Sequence, residues 1–320
     1  MSAVVIASWA IALYQAWSIG ANDETTAPVV SGRTLSVNQA VLLGSIIGTL
    51  GAVFLGSGVQ GTIGTGFFDK PLTAESVLVI LLPASIWLTV ISYFGMSVST
   101  THSVLGSILG YGIFTAGLGT LNWGTIGTII FGWLLSMPTG FLVSYLGTKM
   151  ILRLKAKSKE PESFERSCGK LLILSTCALQ FSRWGNDVGN AAGVLVNIFD
   201  PLGSRLITAV AMAIGLVVLG RIVIGNVGGR MVSLTPSAAL ITQLVATPLI
   251  FSFAFAGIPL SGTHVMISSI LGGAYALKAS VDTKLVRRFG FAWILSFIAP
   301  ALMSGLLVYV GSSTGLLSFK

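Results

Sequence analysis

Long apolar runs separated by short polar stretches pattern this chain of 320 residues. No Asp, Glu, Lys or Arg occurs from Thr34 to Phe68, from Ser76 to Thr148, from Met231 to Leu277 or from Phe289 to Phe319. A helix needs about 20 mainly apolar residues to cross the hydrocarbon of a bilayer, so the pattern has room for roughly ten crossings. The units fall near 3–30, 37–58, 76–95, 97–118 and 122–148, and again near 170–199, 203–225, 235–256, 259–278 and 289–312. Gly and polar residues interrupt several of them. This predicts helix pairs or re-entrant hairpins within a unit, because irregular backbone at membrane depth survives only where protein or a wet cavity surrounds it. The expected fold class is an all-α polytopic membrane protein.

The pattern repeats. Gly20-Ala21-Asn22-Asp23 is echoed by Gly185-Asn186-Asp187-Val188-Gly189-Asn190-Ala191, and Ser99-Thr100-Thr101-His102 by Ser261-Gly262-Thr263-His264. Asp23 precedes His102 by 79 positions and Asp187 precedes His264 by 77. Beyond each His the register continues, Ser107-Ile108-Leu109-Gly110 against Ser269-Ile270-Leu271-Gly272. The chain therefore reads as a first transmembrane repeat over 1–148, a polar linker over 149–168 and a second repeat over 169–320. Five units per repeat is an odd number, so the second repeat must enter the membrane from the opposite side. Inverted repeats of this kind are a common build for secondary transporters.

Charge refines the picture. Only 9% of residues are Asp, Glu, Lys or Arg, where a soluble domain carries roughly 25%. The formal charge of +8 is no nucleic-acid signature, because the basic residues sit in short loops between apolar runs. With the linker in the cytoplasm, 14 of the 18 lie inside: Arg33, Lys149, Arg153, Lys155, Lys157, Lys159, Arg166, Lys170, Arg221, Arg230, Lys278, Lys284, Arg287 and Arg288. Lys70, Arg205 and Lys320 lie outside and Arg183 within the membrane, which places both termini outside by the positive-inside rule. The N-terminal run has no Lys or Arg before it, and reads as a first membrane segment rather than a cleaved leader. Cys168 and Cys177 give neither a disulfide framework nor a metal site.

The candidate chemistry lies in the repeated motifs. Carboxylates at Asp23, Glu24 and Asp187 sit in apolar segments, where each costs about 2.5–3.5 kcal/mol on insertion scales. Such residues face a cavity, a partner or an ion, and the bland alternative is a buried hydrogen-bond cluster. Asn and Asp oxygens are hard ligands that suit Na⁺. Ser99, Thr100, Thr101, Ser261 and Thr263 stand just ahead of apolar helical runs. There a hydroxyl is first of all an N-cap, but two helix N-termini meeting at mid-membrane would also attract an oxyanion. His102 and His264 are the only histidines; they read as supporting donors or core residues, with direct anion contact or proton coupling as the alternative. Arg183 can contact the anion, gate access, pair with Asp187 or reach toward the cytoplasm. Trp9, Trp17, Trp87, Trp123, Trp133 and Trp293 read mostly as interface anchors or core. No HExxH helix, P-loop or GxSxG nucleophile elbow is expected, so enzymatic function is not expected. An anion channel would share the hydroxyls but would not need a carboxylate in each half.

Taken together, the four motifs resemble the inorganic phosphate transporter (PiT) family over nearly the whole chain. The resemblance implies inverted repeats with broken helices and hairpins meeting at mid-membrane, and phosphate uptake across the cell membrane coupled to Na⁺ or, in some members, H⁺. Carried over, Asn22, Asp23, Asn186, Asp187 and Asn190 would hold cations, with Thr26 at the end of the first motif where the family usually has Asn. Ser99, Thr100, Thr101, Ser261 and Thr263 would hold phosphate, with Arg183 as a further anion contact. Glu24 adds a carboxylate suited to carrying a proton. Arg183-Trp184-Gly185 stands where His-Gly-Ala is usual, and Gly262 replaces a usual Thr. No organic cofactor is expected. The partners are phosphate, Na⁺ and the bilayer, a homodimer is among the assemblies allowed, and sulfate is the competing anion.

Overall fold

A computed structural model describes residues 3–317, and within it the chain is almost entirely helical. The Lys320 assignment and the positions of the two termini lie outside the described residues. In chain order the helices are α1 (Ala3–Ala21), α2 (Ala27–Ser31), α3 (Val37–Leu55), α4 (Ser57–Thr65), α5 (Ala74–Tyr93), α6 (Thr100–Ala116), α7 (Trp123–Lys157), α8 (Pro161–Asp187), α9 (Gly189–Ala192), α10 (Pro201–Gly215), α11 (Arg221–Gly225), α12 (Pro236–Phe255), α13 (Gly262–Leu277) and α14 (Thr283–Thr314). A wide π turn at Leu216–Gly220 joins α10 and α11 into one rod, which a second at Asn226–Met231 extends. Among the described residues seven helices are long and apolar enough to cross a bilayer: α1, α3, α5, α7, the α10–α11 rod, α12 and α14. This is a multi-span membrane protein. The repeated Ser/Thr-His motifs open α6 and α13, which are 17 and 16 residues long and so fall short of the roughly 20 needed to span.

Packing follows the repeat. α1 lies on α5 as α8 lies on α12, and α1 crosses α10 as α8 crosses α3. The hairpin helices exchange partners between the halves: α6 packs on α14, and α13 on α7. The α1–α10 and α8–α3 crossings have no room for a side chain. A Cβ on Gly215 would lie 1.9 Å from the Trp17 carbonyl oxygen, and one on Gly51 would lie 2.0 Å from that of Phe181. Counted from Asp23 and Asp187, these are the same contact in the two halves. Gly215→Ala is therefore expected to push α1 and α10 apart at a cost of roughly 1–3 kcal/mol, seen as a lower melting temperature in detergent. Gly127→Ala, in open space, should leave the melt unchanged.

The polar segment 149–168 is helical nearly throughout. α7 runs on to Lys157, and α8 begins at Pro161. At 1.5 Å per residue α7 is about 50 Å long, against roughly 30 Å of hydrocarbon, so it projects well beyond a bilayer. Lys155 Nζ meets Glu165 Oε1 at 2.8 Å, and the Ser237 hydroxyl and N–H donate to the same carboxylate at 2.7 and 2.9 Å. Partial burial works to raise the Glu165 carboxyl, but the Lys155 and Ser237 bonds outweigh it and hold the group below its ordinary range.

Two sets of loops mark the two ends of the molecule. At one end Ser31 donates to the Val232 carbonyl at 2.8 Å, Asp282 N–H to Met231 at 3.1 Å, and Arg221 to Asn38 at 3.1 Å. The α7–α8 hairpin joins this end through Ser237, so the loops bearing Arg33, the 149–170 basic residues, Arg230 and Lys278–Arg288 lie together. At the other end Asn122 N–H donates to Phe67 at 3.0 Å, and Arg205 to Gln60 at 2.6 Å. The loop holding Lys70 is here.

Candidate functional site

The first motif breaks its helix. α1 ends at Ala21 and the chain resumes as α2 only at Ala27. Asp23 causes the break: its Oδ1 accepts from Thr25 N–H at 2.8 Å and, at shorter range, from the Thr25 hydroxyl. A side chain that bonds backbone two residues ahead competes with helical pairing. The repeat predicts the same break at the second motif, but the helix there is interrupted only at Val188, whose φ/ψ of −58/−32 stays helical. Asp187 turns back one helical turn to Arg183 Nε at 2.5 Å, and makes no such demand on the backbone ahead.

Each motif Asn ties down the loop in front of its own hairpin helix. Asn22 Oδ1 accepts from Val98 N–H at 3.0 Å, while Asn22 Nδ2 donates to Ser92 Oγ at 2.8 Å and to the Met96 carbonyl at 3.1 Å. Asn186 Oδ1 accepts from Leu260 N–H at 2.9 Å, and its amide donates to the Leu260 carbonyl at 2.8 Å and to Asp187 Oδ1 at 2.9 Å. The two amides, expected as cation ligands, thus position loops. The halves then brace each other. Thr101 donates to the Leu260 carbonyl at 3.2 Å, and Thr263 to the Val98 carbonyl at 3.1 Å. This brings the N-termini of α6 and α13 together beside both Asp motifs. Ser99 and Ser261 cap them, accepting from His102 N–H at 3.1 Å and His264 N–H at 3.4 Å. Thr100 reaches Asp187 Oδ1 at 3.5 Å.

The carboxylates differ in their partners. Asp23 Oδ2 accepts from Gln180 Nε2 at 2.8 Å and Trp184 Nε1 at 2.6 Å. Among the described residues it has no basic partner within ion-pair distance. Glu24 Oε1 meets Arg183 Nη1 at 3.2 Å, and its Oε2 accepts a short bond from Ser97. Arg183 is completed by Nη2, which donates to Thr263 Oγ1 at 2.9 Å. Of the four roles that the sequence leaves open for Arg183, pairing with Asp187 is the arrangement observed, with Glu24 as a second anion.

Three carboxylates and one guanidinium, each 2% exposed or less, leave the cluster a formal charge of two negatives. Three hard oxygens beside it are buried with no hydrogen-bond partner among the described residues: Thr26 Oγ1, Gln180 Oε1 and Asn190 Oδ1. Thr26 and Gln180 both lie against Gly44, 3.2 and 3.6 Å from where its Cβ would stand. Asn190 Nδ2 donates to Thr101 Oγ1 at 3.4 Å. Buried polar oxygens seldom stay unpaired without a reason, and these suit a cation of the Na⁺ or Ca²⁺ type.

The histidines meet across the halves, edge to face, with ring centroids 4.5 Å apart. Trp133 packs on His102 at 3.8 Å and Trp293 on His264 at 4.4 Å. The group lines a largely apolar cleft of about 430 Å³ with Ile130, Phe297 and Ile298. Gln180, Trp184, Thr25 and Ser97 are site residues that the sequence does not single out. Their only signal is polarity within otherwise apolar runs.

The family described as the phosphate transporter family matches residues 19–304. The chain is similar to the chloroplastic inorganic phosphate transporter 2-1 of Arabidopsis thaliana, at 24% identity over 96% of this chain and 71% of that protein. It shares a fold with a solved structure named the sodium-dependent phosphate transporter, with a TM-score of 0.86 and 24% identity over 98% of this chain and 100% of that one.

Proposed function

Since this chain belongs to the phosphate transporter family, whose members are transporters and not enzymes, we propose that it carries inorganic phosphate across the cell membrane by symport with Na⁺. The observation that carries the reading is the buried cluster of Asp23, Glu24, Asp187 and Arg183, two negative charges in excess, beside the unpartnered oxygens of Thr26, Gln180 and Asn190. A dianion does not enter such a site alone, since like charges repel strongly where water is scarce. Cation binding at this cluster offsets the excess negative charge and makes a place for HPO₄²⁻ at the N-termini of α6 and α13. There Ser99, Thr100, Thr101, Ser261 and Thr263 supply hydroxyls, and the helix ends supply free N–H groups. The name of the solved structure with this fold supports Na⁺ as the coupling ion.

The halves are read as inverted repeats, supported by the exchange of α6 and α13 between them. The α7–α8 hairpin is placed in the cytoplasm, supported by the gathering of basic loops at its end, and a homodimer is among the assemblies this reading allows. The test is radiolabelled phosphate uptake into proteoliposomes. Accumulation against a gradient is expected with an imposed Na⁺ gradient, and not with K⁺ or choline at fixed pH. Uptake that follows a pH gradient instead would move the coupling to protons, with Glu24 as the first residue to substitute. Full competition by sulfate without phosphate transport would overturn the anion, and flux in the absence of any cation gradient would mean a channel.

A further inference from the structure

We propose that Arg183 is a tethered cation: its guanidinium takes, beside Asp187, the place that a mobile coupling ion takes beside Asp23, so that each transport cycle carries one fewer cation than two open motifs would. The inference rests on the cation-coupled reading above.

Asp23 and Asp187 are equivalent in the repeat, yet only Asp187 is paired with a basic residue. Asp23 is held by neutral donors from Thr25, Gln180 and Trp184, with the unpartnered oxygens of Thr26 and Gln180 beside it. Asp187 is held by Arg183 Nε at 2.5 Å. The residue equivalent to Arg183 in the first half is Ile19, which is buried and apolar, so the first site has no built-in cation.

Room for the guanidinium comes from a second asymmetry. In the hairpin motif Gly262 stands where the first half has Thr100. A Cβ at Gly262 would lie 2.4 Å from Arg183 Nη1, 2.5 Å from Cδ and 2.6 Å from Cζ. Any larger residue there would have to displace the guanidinium. The two departures from the repeat, a basic residue on α8 and a missing side chain at the tip of α13, therefore touch and form one device. Its fixed charge is shared with Glu24 at 3.2 Å and is steadied by Thr263 at 2.9 Å. A guanidinium tied to three protein oxygens neutralises carboxylates and leaves the anion to the hydroxyls and helix ends.

The test counts ions. Radioactive Na⁺ bound per chain is measured on the purified full-length protein in detergent, and Na⁺ moved per phosphate is measured in proteoliposomes. Arg183→Gln is expected to bind one more Na⁺ per chain and to steepen the Na⁺ dependence of uptake, while Arg183→Lys keeps the parent's count. Gly262→Ala retains Arg183 but forces it off Asp187, and is expected to gain the same ion; it serves should Arg183→Gln elute as aggregate. A monodisperse Arg183→Gln or Gly262→Ala protein with an unchanged or lower Na⁺ count overturns the inference. A parent that binds Na⁺ yet fails to drive phosphate uptake overturns the symport reading instead.

Discussion

Asp23→Asn is expected to abolish Na⁺-driven phosphate uptake while leaving a folded protein. The substitution keeps the shape and removes the one motif carboxylate that has no basic partner. A bound monovalent cation then loses its counter-charge. At about 4 Å and an effective dielectric near 20 that is worth about 4 kcal/mol, or roughly three decades in affinity. The cost to folding is smaller. Asp23 accepts from Gln180 and Trp184 on one oxygen and from Thr25 on the other. An amide serves one of these sides and turns its NH₂ toward donors on the other. One or two mispaired donors cost about 1–3 kcal/mol. Uptake at the parent's rate in a monodisperse Asp23→Asn protein would remove Asp23 from the coupling site.

Asp187→Asn should behave differently, although its place in the repeat is the same. Here the lost charge is the partner of a buried guanidinium 1% exposed. Breaking one side of a buried ion pair costs about 3–5 kcal/mol, because the remaining charge is left uncompensated. Glu24 still faces Arg183 at 3.2 Å, which places the expected loss near the lower end. Transport should fail together with thermal stability, and the double variant Arg183→Gln with Asp187→Asn should recover most of the stability. The check is the melting temperature of the three proteins in one detergent. Equal melts for Asp187→Asn and the parent would mean that Glu24 alone balances Arg183.

Much of this is legible in the sequence, and the illegible part has a physical cause. Apolar runs locate the long helices to within a few residues, as with 76–95 against Ala74–Tyr93 and 235–256 against Pro236–Phe255. Charge-free runs make the few exceptions conspicuous, so Asp23, Glu24, Asp187 and Arg183 stand out. Gln180 and Trp184 do not, because an amide or indole in a membrane helix looks like an interface residue until its register against α1 is known. The unequal breaks at the two Asp motifs are also hidden. They depend on whether the carboxylate finds backbone ahead, as Asp23 does at Thr25, or an arginine one turn behind, as Asp187 does. Cross-bracing between halves, Thr101 to Leu260 and Thr263 to Val98, is tertiary and leaves no local trace.

The exchange of hairpin helices also sets a timetable. α6 packs on α5 of its own half and α13 on α12, but each completes its seat only against a helix of the other half, α14 and α7. During synthesis α6 is complete at Ala116, but its partner ends at Thr314. At roughly 5–20 residues per second the wait is tens of seconds. Over that interval the face of α6 that will meet α14 has only lipid, the insertion machinery or a chaperone against it. Gly106 and Gly110, whose added Cβ atoms would lie 2.3 and 2.1 Å from the carbonyl oxygens of Phe297 and Ala301, stay uncovered until the last helix arrives. A ribosome that stalls late in this message would thus release a chain with most of its length made and one of its two central hairpins unseated.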